Sequence, residues 1–132
     1  MKKIILLLIL SCLSAAGFSQ IPTEDIGVQW ETKSKDFNTI KTGTVAEFTF
    51  RVKNTTNSPL VISSANPSCG CTASSYTLTP IKPGEFGSVT ASYNTEGRPG
   101  FFFKNVRVTF SNGTVSDLSI TGNVSYDVPS QK

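Results

Sequence analysis

Cys69-Gly70-Cys71 places two thiols one residue apart and is the chemically distinctive cluster of the sequence. Two thiols separated by one residue have three uses. The first is a small disulfide staple. In a fully extended strand both cysteines point to one face, with Cα atoms near the upper limit for bridging. Gly70 can adopt positive φ and fold the loop so that the sulfurs meet. So small a ring constrains few residues and stabilises little, and its strain makes it easier to reduce than an ordinary structural bridge. That reducibility defines the second use, reversible thiol–disulfide exchange. Exchange is favoured by a lowered thiol pKa from a nearby cation, and Lys82 and Lys104 are the candidates. The third use is capture of a soft metal, Cu(I) or Zn²⁺, by two thiolates. Zinc normally takes four ligands, so a closed mononuclear site would need a partner protein, and no cofactor is expected.

Other residue types narrow the field. The chain has no histidine, which removes Ser-His-Asp and Cys-His catalysis. Glu31, Asp36, Glu47 and Glu85 border turns or face water on a strand, and read as solvated charges rather than a catalytic carboxylate pair. Asn54-Thr55-Thr56, Asn112-Gly113-Thr114 and Asn123-Val124-Ser125 match the glycosylation sequon but read as turn and strand composition. Phe101-Phe102-Phe103 is more informative. Phe102 belongs to an inward face, so Phe101 and Phe103 point the other way. Either a neighbouring loop covers them, the arrangement slightly favoured at sandwich ends, or they form an apolar patch for a partner.

The compartment follows from the N-terminus. Lys2 and Lys3 precede an apolar run, Ile4 to Leu10, and then Ser14-Ala15-Ala16-Gly17 and Phe18-Ser19-Gln20. This is the pattern of a secretory signal, residues 1–19, cut before Gln20 with small residues at Gly17 and Ser19. The run is far short of the ~20 apolar residues that span a bilayer. Lipoprotein processing at Cys12 is the alternative. Cleavage before Gln20 removes two lysines and takes the formal net charge from +3 to +1. A near-neutral surface gives no electrostatic case for nucleic acid or an anionic membrane. Of three cysteines it leaves one pair, which suits an oxidising compartment, periplasmic or extracellular.

Strands carry these residues. Ile26, Val28 and Trp30 alternate with Gly27, Gln29 and Glu31. In Val45 to Asn54, Ala46, Phe48, Phe50 and Val52 share one face, and Glu47, Thr49, Arg51 and Lys53 the other, as on a strand with one side in water. Asn54 to Pro59 is a turn cluster, and Leu60-Val61-Ile62 starts another strand. Pro80-Ile81-Lys82-Pro83-Gly84 is a second breaker. Val89, Ala91 and Tyr93 alternate beyond it. After Glu96-Gly97-Arg98-Pro99-Gly100, Phe102, Val106, Val108 and Phe110 share a face. Asn112-Gly113 marks a tight hairpin, followed by Leu118, Ile120, Gly122 and Val124. No window shows a helical stripe. The pattern predicts an all-β, immunoglobulin-like, two-sheet antiparallel sandwich of about seven strands over residues 20–126, with a frayed tail at 127–132.

An ordered set of motifs resembles a bacterial family, the domain of unknown function numbered 1573. Lys35-Asp36-Phe37-Asn38-Thr39-Ile40-Lys41-Thr42-Gly43 is similar to its Asp-Phe-Gly-x-Ile-x-x-Gly opening. Phe50-Arg51-Val52-Lys53-Asn54 and Pro59-Leu60-Val61-Ile62 resemble its Phe-x-Phe-x-Asn and Pro-Leu-x-Ile continuation. Pro67-Ser68-Cys69-Gly70-Cys71-Thr72 resembles its most recognisable motif, and Ile81 to Glu85 and Gly100 to Lys104 its later landmarks. The resemblance runs from about Trp30 to Val124. Asn38 stands where the family usually has glycine, a mild change because asparagine tolerates the left-handed region. Thr56 stands at another habitual glycine and does so less readily.

The resemblance implies an exported immunoglobulin-like domain of Bacteroidetes-like bacteria, related in fold to Hydin-type, major-sperm-protein and pilus-chaperone domains. It implies no established activity, and fold does not supply one. The expectation is a non-enzymatic interaction or scaffolding module of the cell envelope, with an envelope protein as partner. Redox or copper chemistry at Cys69 and Cys71 is the rival.

Overall fold

The computed structural model describes Gly17, residues 25–70 and residues 72–126. The signal segment, Cys12, the cleavage site, Cys71 and the tail 127–132 lie outside the described residues. Eight strands follow in order: β1 (Val28–Trp30), β2 (Ser34–Lys41), β3 (Val45–Asn54), β4 (Ile62–Pro67), β5 (Thr72–Tyr76), β6 (Phe86–Asn94), β7 (Gly100–Phe110) and β8 (Val115–Ser125). They form two four-stranded sheets, β1-β3-β6-β5 (sheet I) and β2-β8-β7-β4 (sheet II).

Each long strand buries alternate residues because its sequence alternates. On β3, Ala46, Phe50 and Val52 are buried and Glu47, Thr49 and Arg51 are exposed. Sheet I adds Val89, Ala91 and Tyr93 to the core, and sheet II adds Phe102, Val106, Val108, Phe110, Leu118, Ile120 and Val124. Burying each of the larger side chains contributes about 1.5–3 kcal/mol.

The structure departs from the sequence-based expectation in three places. There are eight strands, because Ser34–Lys41 and Thr72–Tyr76 both pair. The sandwich is not antiparallel throughout: β2 runs parallel to β8. That ladder is interrupted between Asp36 and Thr39, where Asn38 takes φ 57° and its N–H donates to Asp36 Oδ1 at 2.8 Å. Asparagine tolerates this left-handed backbone, as the change from glycine required. Ile26 is exposed, because residues 25–27 form a turn before β1 begins.

Thr56 resolves its turn without a left-handed backbone. Its hydroxyl donates to Asn54 Oδ1 at 2.6 Å and lies 2.8 Å from the Ser58 carbonyl. Asn54 itself is buried, and its Nδ2 donates to the carbonyls of Ser58 and Ile81, both at 2.8 Å. Its main chain adds bonds from its N–H to the Glu85 carbonyl and from the Gly84 N–H to its own carbonyl. One side chain thus fastens two loops and the Leu60–Ile81 bridge.

Candidate functional site

The Cys69 segment is the crossing between the sheets. β4 is an edge strand of sheet II and β5 an edge strand of sheet I, and Ser68 to Cys71 join them. Ser68 prolongs the pairing of β4 with β7: its N–H donates to the Asn105 carbonyl at 2.8 Å, and its hydroxyl accepts from the Asn105 N–H at 3.1 Å. The chain then turns, with the Thr72 N–H donating to the Cys69 carbonyl at 3.2 Å. Thr72 is buried opposite Tyr93. Ser74 Oγ donates to the Ala65 carbonyl, so the two edge strands are tied just beyond the loop.

Cys69 is half-buried and disulfide-bonded, and its Sγ lies 3.6 Å from Thr72 Oγ1. Gly70 is exposed and does not take positive φ, contrary to the role expected of it. A Cβ added there would meet nothing within 4 Å. The turn is made by the Cys69–Thr72 bond rather than by glycine's conformational freedom. Of the two candidate cations, Lys82 lies at the far end of the sandwich, beside the Leu60–Ile81 bridge. Lys104 is close to the crossing, with Nζ 5.4 Å from the centroid of the Tyr93 ring.

Phe101 and Phe103 project from the outward face of sheet II, four and two strand positions before Asn105. They are 74% and 54% exposed, so among the described residues no loop covers them, contrary to the expected coverage. Their cross-strand neighbours on β8 are Asn123 and Thr121, both polar. Phe86, also exposed, differs in having the Arg51 guanidinium 4.4 Å from its ring centroid. The fold therefore brings together two features that the sequence presents apart, the cysteine crossing and the phenylalanine pair, through the Ser68–Asn105 contact. Next to them an open, shallow hollow is lined by Asn66, Ser68, Asn105, Arg107 and Asp117. Arg107 grips Asp117 with two hydrogen bonds, at 2.9 and 3.0 Å. Those bonds hold the Asp117 carboxyl below the usual aspartate range; desolvation opposes them, and the charges of Arg107 and Lys33 add to them.

The carboxylates stay apart. Glu31 pairs with Arg51 at 2.8 Å, Asp36 accepts the bond within the β2 bulge, and Glu47 and Glu85 are exposed. Among the described residues no three of His, Cys, Asp and Glu converge as metal ligands would. Nor is any helix among them long and apolar enough to cross a membrane. Of the sequon asparagines, Asn54 is buried. It occupies the next inward position after Ala46, Phe48, Phe50 and Val52 on β3.

Two sheets of four strands, a parallel strand beside the last one and an aromatic core define an immunoglobulin-like β-sandwich. The chain belongs to the family of proteins of unknown function DUF1573, whose family model matches residues 28–124. No curated protein matches the sequence. Among solved structures, a protein of unknown function from Porphyromonas gingivalis W83 is similar with a TM-score of 0.61 at 13% identity. The match covers 73% of this chain and 46% of that one, so the chain spans about half the length of that relative. The ASH/PapD-like domain 7 of human CEP192 is similar with a TM-score of 0.58 at 15% identity, over 80% of this chain and 89% of that one. The secreted serine protease VesC from Vibrio cholerae has a TM-score of 0.58 at 12% identity, over 75% of this chain but 23% of its own. At these identities the likeness is one of fold.

Proposed function

We propose that this chain is an exported, non-enzymatic interaction module of the cell envelope, which holds a protein partner against the start of β7. The observation that carries the reading is the exposure of Phe101 and Phe103 side by side on an otherwise polar strand face. Leaving two adjacent phenyl rings in water forgoes burial worth a few kcal/mol, and such patches mark contact sites. The signal pattern of residues 1–19 supports export, with a single domain over 20–126. Intact mass of the processed protein should begin at Gln20. Mass consistent with a lipidated Cys12 would replace that reading.

The partner surface is tested with a photo-crosslinking residue placed at Phe103 and, as control, at exposed Glu47, in cells of a native-type host. A discrete envelope adduct at position 103 and none at 47 is expected. Equal labelling at both positions overturns the reading.

In the same proposal the Cys69-Gly70-Cys71 pair shapes the crossing beside this surface. The Cys69→Ser, Cys71→Ser double variant should fold with a loss of under about 2 kcal/mol, as expected for so short a closed loop. Free thiols in protein taken from the envelope would contradict a staple.

A further inference from the structure

The backbone beside the two phenylalanines shows what kind of partner they take. In an antiparallel ladder, successive residues of a strand turn their N–H and C=O groups to opposite neighbours. The Phe110 N–H donates to the Thr114 carbonyl at 2.9 Å, so the even-numbered residues of β7 face β8. The odd-numbered residues face β4, as the Asn105–Ser68 bonds show. Phe103 and Phe101 continue that odd-numbered set. Yet β4 ends at Pro67, opposite Val106, and the chain leaves for sheet I at Cys69. Past Ser68, no hydrogen bond from a described residue reaches the outer edge of β7 at Phe103 or Phe101.

We infer that the start of β7 is an open sheet edge that accepts an extended polypeptide segment of the partner as an added strand, in line with β4 and stopping at the Cys69 crossing. The inference rests on the reading of Phe101 and Phe103 as the partner surface and specifies the partner's form. Each of the two residues offers one N–H and one C=O to such a strand. Partner residues opposite them form hydrogen-bonded pairs and carry their side chains onto the same outward face, next to the phenyl rings. Valine, isoleucine, threonine or an aromatic at alternate positions suits that geometry. The sheet edge supplies affinity through the main chain and the rings supply side-chain preference. A second copy of this chain is the poorer occupant. Two edge residues from each copy fall well short of the roughly 1,000 Å² that a stable dimer buries.

The test uses the processed, ¹⁵N-labelled protein. In the free protein the Phe101 and Phe103 amides should exchange with solvent at least about tenfold faster than those of Phe102 and Lys104, which face β8. The probe is a capped peptide of alternating threonine and valine. It should shift the Phe101 and Phe103 amide resonances and slow their exchange by about tenfold at saturation. The same peptide N-methylated at alternate positions keeps its side chains, loses its donors and should leave both unchanged. Phe103→Pro removes one edge donor at a position where an edge strand tolerates proline, and should reduce peptide affinity at least about tenfold, with the β7–β8 resonances intact as the check on folding.

Protected Phe101 and Phe103 amides in the free monomer overturn the inference, as does equal binding of the N-methylated peptide, or no binding. Concentration-dependent dimerisation that protects the same two amides overturns it in favour of a second copy. In each of these cases a specific crosslink at position 103 still supports the partner surface. Equal crosslinking at 103 and 47 removes that surface, whatever the peptide does.

Discussion

The indole N–H of Trp30 donates to the hydroxyl of Ser116 at 2.9 Å, joining the edge strand of sheet I to the middle of sheet II. Ser116 is fully buried and its hydroxyl donates to Asp25 Oδ1, while Asp25 Oδ2 is paired with Lys33. Asp25 sits at φ 58°, a backbone that aspartate tolerates better than most residues. One hydroxyl thus links the tryptophan to the turn before β1, and Asp25 of that turn also holds the lysine.

Ser116→Ala leaves the indole N–H without its acceptor at a part-buried site. The expected loss is about 1–3 kcal/mol, above the net worth of a simple exposed bond. The chain has one tryptophan, so urea unfolding followed by its fluorescence reports directly on this contact. An unchanged midpoint would mean that Trp30 is bonded elsewhere.

Asn54→Ala removes the acceptor of the Thr56 bonds and the donors to Ser58 and Ile81 together, at a position 1% exposed. Loss of a buried, fully satisfied polar group of this kind is expected to cost more than about 2 kcal/mol. Amide exchange should accelerate first at Leu60 and Ile81, whose mutual bonds of 2.9 and 2.8 Å lie next to it. Uniform acceleration over the whole chain would count against a local role.

Gly122 gives the Phe102 ring its seat. A Cβ there would lie 2.7 Å from Phe102 Cε1 and 2.8 Å from Cζ, and that ring is already packed 4.5 Å, centroid to centroid, from Tyr93. Gly122→Ala should therefore destabilise by about 1–3 kcal/mol through overpacking. Adding Phe102→Leu should recover part of the loss, a non-additivity that a double-mutant cycle measures.

Asp117 supplies a pH dependence of known sign. Its pKa is lowered in the folded protein, so the Arg107 pair stabilises above the ordinary aspartate range and that stabilisation is lost as pH falls through the folded value. Both side chains are largely exposed, at 65% and 46%, which keeps the contribution under about 1 kcal/mol. Asp117→Asn should thus lower stability slightly at neutral pH and match the parent in acid. The gap at neutral pH should also narrow in high salt.

Strands were legible where burial is one-sided. β3, β6, β7 and β8 alternate so regularly that face and core follow from the residues alone. β2 hid because its half-buried members, Lys35, Phe37 and Ile40, fall out of phase across the Asn38 bulge. β5, Thr72 to Tyr76, is short and polar, and takes its place from pairing with β6 rather than from its own pattern. The parallel partner of β8 has no local signature, since parallel pairing joins segments distant in sequence. At the candidate site the cysteines and phenylalanines were visible as residue types. Their adjacency was not, because it depends on where β4 ends against β7.

The parallel run of β2 along β8 gives the molecule a mechanical character. Tension between the N-terminal and C-terminal sides of the described segment first meets the bonds of Asp25 to Val115 and Ser116, and then the three residue pairs of β1 with β3. It then pulls β2 and β8 lengthwise past one another, loading their six registered pairs at once instead of peeling them singly. Hydrogen bonds strained in parallel rupture together, so pulling by the two ends should give one high-force event, whereas pulling across the β7–β8 hairpin should unzip at lower force. Single-molecule extension along the two axes measures the difference, and equal rupture forces would remove the clamp. Load applied end to end therefore runs along the direction in which the domain resists most.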